Sequence, residues 1–325
     1  MTYTSPAQEA GSTQRLIWAV KNTARGLIWR TLEQTGAHRL MAPFRSNNCL
    51  ILYYRAVFDG PHQLPIDSDN VLDADVFEKQ MVYLKAHRRV ISLGECFDHW
   101  QKHGAPPRKS AVITFDDGFA CCRTVAAPIL KSLDLPATFF VIPGFTESDE
   151  PKWDDFLRQV TPDFRKWIIR STHDEIRREM DRLRETVDAD MVSSVEERLR
   201  EGMLTWEQMS ELLEMGFSVQ SHSQEHWYLS SQSEEVQRRE IVDSKTHLEE
   251  KLGPEVRFFS IPFGYPGSFN STTLALLQRH GYAAAFGGHR GYLTAKSDPY
   301  AMPRIVIHRG FTFPRFQAAV SGALI

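Results

Sequence analysis

Short apolar segments alternate with amphipathic segments along most of the chain, and this alternation limits the fold more than any other feature of the sequence. The amphipathic segments carry apolar residues at helical spacing, as in the helix predicted for residues 75–87. Buried strands that alternate with helices are typical of a parallel α/β sheet or barrel. We therefore predict an α/β fold, with strands at residues 50–54, 90–93, 110–113, 137–142, 217–221, 258–261, 282–286 and 304–308.

Residues 146–203 interrupt the alternation, because their composition becomes charged and helical. Thr172 and Glu175 have the spacing of a capping box, and Ile176, Met180 and Leu183 follow on one face of the helix that this box would begin. The pattern predicts a helical insertion in a loop of the α/β domain, which either covers the functional site or lies apart from it.

The first 46 residues form an N-terminal extension in this interpretation, and residues 47–325 form the α/β domain. An amphipathic helix is predicted from about Gln14 to Leu40, where basic residues border an apolar face that includes Trp18 and Trp29. This helix would pack on the domain or lie on a membrane surface. The apolar run Leu16–Val20 is too short for a signal peptide or a transmembrane span. We therefore expect a cytoplasmic protein, with peripheral contact at the inner membrane as a further hypothesis.

Charge and cysteine content exclude several classes of partner and site. The chain has 38 Lys and Arg against 41 Asp and Glu, a net charge of −3, so nothing in its balance indicates a nucleic-acid partner. Four cysteines show no C-x-x-C metal pair and imply no disulfide framework.

Two adjacent carboxylates, Asp116 and Asp117, follow the apolar run Ser110–Ile113, and Gly118 turns the chain away. Because neighbouring side chains on a strand point to opposite faces, one carboxylate could bind a metal while the other accepts a proton. The alternative is an ordinary polar turn between two elements.

A second strand, at residues 217–221, leads into His222 and His226. Imidazoles four residues apart meet on one side of a helical turn and can share a metal, although such a pair is also common at surfaces and in cores. The carboxyl ends of parallel strands face one rim, so these histidines and the two aspartates predict a metal site there. Further strands end at Pro262-Phe263-Gly264 and at His308.

These motifs resemble those of the NodB-type polysaccharide deacetylases, the fourth carbohydrate esterase family. Residues 114–118 (TFDDG) match the first family motif, His222-Ser223-x-x-His226 matches the second, and residues 205–216 match the usual lead-in. The resemblance runs from about residue 47 to residue 325. It implies a distorted (β/α) barrel with fewer than eight full repeats, and an enzyme that removes N-acetyl groups from a glycan or glycolipid.

The resemblance also implies a role for each site residue. A divalent metal, commonly zinc, would be held by Asp117, His222 and His226. Asp116 would be the general base, and a backbone N–H near Phe263, after Pro262, would stabilise the oxyanion. His308 would be the general acid, with His289 as its rival.

The sequence departs from the family pattern at three places. Ser260 stands where the third motif usually has an arginine that orients the base, so either another cation, such as Arg304, takes that role or the base is held less firmly. The motif of Asp and Trp that supports the general acid is not recognisable, and Asp298 is the one candidate offered for it. Arg55 stands where many relatives have histidine, a change that we expect to affect substrate contact only.

Two other functions remain open at this point. A non-sugar amide hydrolase could use the same metal motifs, since these motifs do not specify a sugar. A carbohydrate-binding protein could keep the metal site and lack turnover. Release of acetate from N-acetylated oligosaccharides separates an enzyme from a binding protein.

Overall fold

The computed structural model describes residues 48–322 except 63, 162 and 163. The chain divides into two compact units, one of residues 48–311 and one that comprises residues 1–47 and 312–325. In the second unit the described part is residues 312–322. The helix predicted from Gln14 to Leu40 lies outside the described residues.

Parallel strands form a closed barrel in the first unit. Seven strands pair in the order β1-β10-β9-β8-β7-β6-β5, and β5 pairs again with β1. The short β4 adds to the start of β5, while β2 and β3 form a separate two-stranded sheet. This confirms the distorted (β/α) barrel. The strands are β1 (Cys49–Tyr54), β2 (Ala56–Phe58), β3 (Val71–Asp73), β4 (Arg89–Val90), β5 (Ser110–Phe115), β6 (Thr138–Val141), β7 (Ser218–Ser221), β8 (Phe258–Ser260), β9 (Ala284–Arg290) and β10 (Met302–Val306).

Helices follow the strands and make up the insertion. Their bounds are α1 (Ala74–His87), α2 (Leu93–His103), α3 (Ala127–Ser132), α4 (Trp153–Val160), α5 (Phe164–Ile168), α6 (His173–Thr186), α7 (Ala189–Glu201), α8 (Trp206–Glu214), α9 (Glu234–Leu252), α10 (Ser271–Arg279) and α11 (Phe313–Ser321). None of the described helices is long and apolar enough to cross a bilayer.

Strand β5 shows why the central apolar run folds as it does. All six of its residues are buried, and it pairs with β1 over the whole length from Cys49–Ser110 to Tyr54–Phe115. A parallel strand covered on both faces needs a continuous apolar run rather than alternation. The result is a rigid strand that ends directly before Asp116.

The segment after β5 is helical from residue 120 to residue 132 and contains one irregular turn. A π-helical turn covers Cys122–Ala126, and α3 begins only at Ala127. The Ala127 N–H bonds to the Cys122 carbonyl at π-helical spacing, and Pro128 follows with no N–H to donate.

The insertion consists of α4 to α7, between β6 and α8. Thr172 and Glu175 form both hydrogen bonds of the predicted capping box at the start of α6. A second box, Thr205 and Gln208, begins α8. The insertion therefore has regular helical structure, and its first two helices reach the functional site described next.

Candidate metal centre

The predicted site residues meet in a cavity of about 590 Å³ at the carboxyl end of the barrel strands. Asp116 and Asp117 follow β5, His222 follows β7, and Arg304 lies in β10. The insertion forms part of the wall, so it covers the site rather than lying apart from it. It contributes Asp154, Arg158, Phe164 and Ile168.

Asp117, His222 and His226 form a compact set of ligand atoms, all within 4.8 Å of one another and all buried. The Asp117 Oδ1 atom lies 3.3 Å from His222 Nε2 and 3.5 Å from His226 Nε2. Ligands about 2.0–2.1 Å from a tetrahedral ion lie roughly 3.3–3.4 Å from each other. The spacing and the donor atoms therefore fit a divalent metal held by these three residues.

The two histidines converge through a loop and not through the helical turn that their spacing suggested. Residues 222–228 contain no helix, and Ser223 and His226 have left-handed backbones with φ of 69° and 64°. The Ser223 hydroxyl accepts a hydrogen bond from the His226 N–H at 2.9 Å, and Glu240 accepts one from the Glu225 N–H at 2.9 Å. These bonds fix the loop in a shape that the spacing alone does not specify.

Gly144 lies against this loop, and its N–H donates to the Gln224 carbonyl at 2.9 Å. A Cβ atom at Gly144 would overlap that carbonyl oxygen. We expect Gly144→Ala to displace the His222–His226 loop, to weaken metal binding and to cost about 1–3 kcal/mol of stability. Zinc titration and thermal melting measure the two effects. Gly94→Ala is the control, because the nearest atom to its Cβ is 3.8 Å away; equal behaviour of the two variants would contradict the prediction.

The ring of His222 is held in the tautomer that a metal requires. Its Nδ1 lies 2.8 Å from the carbonyl oxygen of Ser260. Because a carbonyl can only accept, Nδ1 must carry the proton, and the lone pair of Nε2 is left facing Asp117.

Burial and nearby charges set the pKa values of two of the ligands, Asp117 and His226. Burial alone would raise the pKa of Asp117, but the cationic Arg55 and Lys152 hold it well below its usual range. Burial and Lys152 lower the pKa of His226, so this ring favours the neutral form. Metal ligation needs an ionised carboxylate and a neutral imidazole, and both are favoured here.

Asp116 is held by two side chains from other strands. Arg304 donates to its two oxygens at 2.8 and 2.6 Å, and the Ser260 hydroxyl donates at 2.8 Å. The Arg304 guanidinium lies over the Tyr53 ring, 4.4 Å from its centroid. Arg304, on β10, thus supplies the cation that the third motif lacks. This is the role for which the sequence made Arg304 a candidate.

A buried ionic cluster next to the ligands was missed by sequence reasoning. It consists of Arg55, Lys152, Asp154 and Asp155, and Arg55 pairs with both Asp117 and Asp155. Arg55 therefore contacts a ligand carboxylate, contrary to the expectation of a role in substrate contact only. The one feature of the sequence that could have indicated this cluster is the run Lys-Trp-Asp-Asp at residues 152–155. Most other charged residues of the insertion are not buried.

The remaining candidates lie at different places. Phe263 lines the cavity with φ of 63°, and its ring packs 4.8 Å from that of His226, while Pro262 is buried beside it. His308 also lines the cavity, two residues past the end of β10. His289 lies in β9, and its side chain is outside the described part of the structure. Asp298 accepts from the Tyr300 N–H in a turn and is not among the residues that line the cavity.

Comparison with known proteins gives a family for this arrangement. The profile of the family described as polysaccharide deacetylase matches residues 103–285, more than half of the chain. A putative polysaccharide deacetylase of Bacillus subtilis is 24% identical over 215 residues, which cover 66% of this chain and 57% of that protein. A poly-β-1,6-N-acetyl-D-glucosamine N-deacetylase of Staphylococcus aureus is 24% identical over 237 residues, 71% of this chain and 66% of that protein.

Solved structures agree on the fold. The deacetylase PplD of Streptococcus pyogenes, determined in complex with acetate, superposes with a TM-score of 0.60 and 23% identity, over 84% of this chain and 98% of that one. The match to the two sequence relatives spans less than two thirds of their length. With the family profile, the barrel and the first two motifs in agreement, the chain belongs to the polysaccharide deacetylase family.

Proposed function

We propose that the protein is a metal-dependent hydrolase that removes N-acetyl groups from an N-acetylated glycan. One observation carries this proposal: the Asp117-His222-His226 ligand set and the separately held carboxylate of Asp116 face the same cavity. Hydrolysis of an amide needs an activated water, a stabilised oxyanion and a proton for the leaving amine. Membership in the polysaccharide deacetylase family supports the same reaction.

Asp117, His222 and His226 would hold the ion, and we propose zinc because a mixed nitrogen and carboxylate set suits it. When bound, such an ion lowers the pKa of water and polarises the amide carbonyl. Each of the three residues offers one ligand atom. All three also line the cavity, so a substrate can approach the ion from that side.

Asp116 takes the proton of the attacking water in this proposal. Hydrogen bonds from Arg304 and Ser260 orient the carboxylate of Asp116, and the arginine balances its charge. Asp116 is therefore held in place without being a metal ligand. We propose the backbone N–H of Phe263 as the donor to the oxyanion, because Phe263 lines the cavity and Pro262 has no N–H to donate. His308 gives a proton to the leaving nitrogen, and the products are acetate and a free amine.

The relatives suggest which glycan to try first. One of them is named for poly-β-1,6-N-acetyl-D-glucosamine, and we propose oligomers of β-1,6-linked N-acetylglucosamine as the first substrates. Phe263 and Tyr265 line the cavity, and aromatic rings at such a place suit an amphipathic ligand such as a sugar. A glycolipid substrate and membrane contact through residues 14–40 stay predictions from the sequence.

Removal and return of the metal tests the proposed function. Protein treated with a chelator should lose acetate release from these oligomers, and stoichiometric zinc should restore it, because the ligand set is complete in this chain. Amine formation is measured in parallel to confirm that an amide is cleaved. An unrelated acetamide serves as the control for a non-sugar amidase. Zinc binding without acetate or amine from any N-acetylated oligomer would favour the carbohydrate-binding alternative.

A further inference from the structure

The outer nitrogens of the two ligand histidines have different surroundings. The Nδ1 of His222 has the Ser260 carbonyl at 2.8 Å. The Nδ1 of His226 is buried and, within the described residues, has no partner at hydrogen-bonding distance and angle. Oδ1 of Asp154 lies 3.4 Å from this nitrogen. A buried N–H without a hydrogen-bond acceptor destabilises the protein, and the carboxylate of Asp154 is close enough to become that acceptor.

Asp154 is held at this position from two sides. The Lys152 ammonium lies 2.5 Å from its Oδ1 and 3.0 Å from Asp155, and all three residues are almost completely buried. Between them, Trp153 donates from Nε1 to the Glu225 carbonyl at 2.8 Å, and its ring stacks on Trp227 at 4.7 Å. The start of α4 is thereby fixed to the loop that carries His226.

We propose that Asp154 is a positioning residue for His226. Its carboxylate accepts a hydrogen bond from the His226 Nδ1–H and so directs the Nε2 lone pair of His226 at the metal. A carboxylate behind a ligand histidine fixes the tautomer and the ring and makes the nitrogen a stronger donor to the ion. Within the proposed function, the insertion then belongs to the metal site, and Asp154 never touches substrate. The inference rests on the proposed function only in requiring that a divalent ion binds.

Metal affinity distinguishes this role from a purely structural one. Zinc affinity of the full-length protein is measured by competition with a chromophoric chelator, and thermal melting of the metal-free protein is measured alongside. Asp154→Ala should weaken zinc binding about 10–100-fold. Asp154→Asn should lie between Ala and wild type, because its amide oxygen can still accept the Nδ1–H.

Glu196→Ala is the matched control. Glu196 is another insertion carboxylate in a half-buried ion pair, 2.8 Å from Arg184, and it is not a cavity residue. This variant should lower the melting temperature and leave zinc affinity within about threefold of wild type. Equal losses of affinity in Asp154→Ala and Glu196→Ala would show a general effect of the insertion and overturn the proposal.

A measurement on the wild-type protein tests the proposal even if the variants do not fold. In zinc-loaded protein with 15N-labelled histidine, both ligand rings should show a slowly exchanging Nδ1–H, and Asp154→Asn should change only that of His226. Absence of the protected His226 signal in wild type overturns the inference and leaves the proposed function standing. Failure of wild type to bind any divalent ion would instead overturn both.

Discussion

Asp116→Asn is expected to reduce acetate release by roughly 10²–10⁴-fold, the usual contribution of a general base, while metal content stays close to wild type. The reason is geometric. Asp116 is bound by Arg304 and Ser260, and His222 Nε2 lies 3.8 Å from its Oδ2 but 3.3 Å from Oδ1 of Asp117. Asparagine at position 116 therefore removes the proton acceptor and keeps the ligand set.

The matched comparison for this prediction is Asp117→Asn, which has the same change of atoms one position along the chain. It should lose metal and activity together. Metal content by elemental analysis and acetate by enzymatic assay separate the two variants. Near-normal turnover in Asp116→Asn would mean that another carboxylate is the base, and Asp67 and Asp69, which also line the cavity, would be examined first.

Arg304→Met is expected to cost about 3–5 kcal/mol in the free energy of unfolding, because it leaves the carboxylate of Asp116 buried without its cation. Arg304 and Asp116 are 6% and 1% exposed, so the carboxylate that remains is largely buried. Urea denaturation at constant metal concentration measures the loss. Activity should fall as well, since Ser260 alone would orient the base.

A double variant gives this prediction its control. Arg304→Met combined with Asp116→Asn has no unpaired charge and should recover much of the lost stability, although it stays inactive. Arg238→Met removes an exposed arginine paired with Glu235 at 3.1 Å and should cost less than about 1 kcal/mol. If the double variant is as unstable as Arg304→Met, packing of the guanidinium on Tyr53 and not its charge is what matters.

Local patterns predicted an α/β sheet or barrel and one rim shared by the aspartates and histidines, while the family resemblance supplied the choice of a barrel and of the three ligands. Each apolar run with its flanking turn predicts one strand, and the common rim of a parallel sheet brings Asp117 and His222 together without further information. The capping boxes at Thr172 and Thr205 were equally visible, because each depends on residues only three positions apart.

Contacts between distant segments could not be predicted in the same way. Nothing near Asp154 in the sequence indicates that it faces His226, since the approach depends on how the insertion folds back over the rim. The histidine loop shows a second limit, because two left-handed residues replaced the expected helical turn and still produced the same convergence. Spacing specified which side chains meet and left open the backbone that brings them together.

The pairing of Asp116 with Arg304 means that the active site is complete only after the last barrel strand has been synthesised and has folded. Arg304 lies 188 residues after Asp116, on the strand that closes the barrel against β1. A nascent chain therefore contains its base long before the cation that orients it. The same holds for local unfolding: any opening that detaches β10 removes Arg304 from the site while most of the barrel is still folded, so catalysis should fail before the fold does.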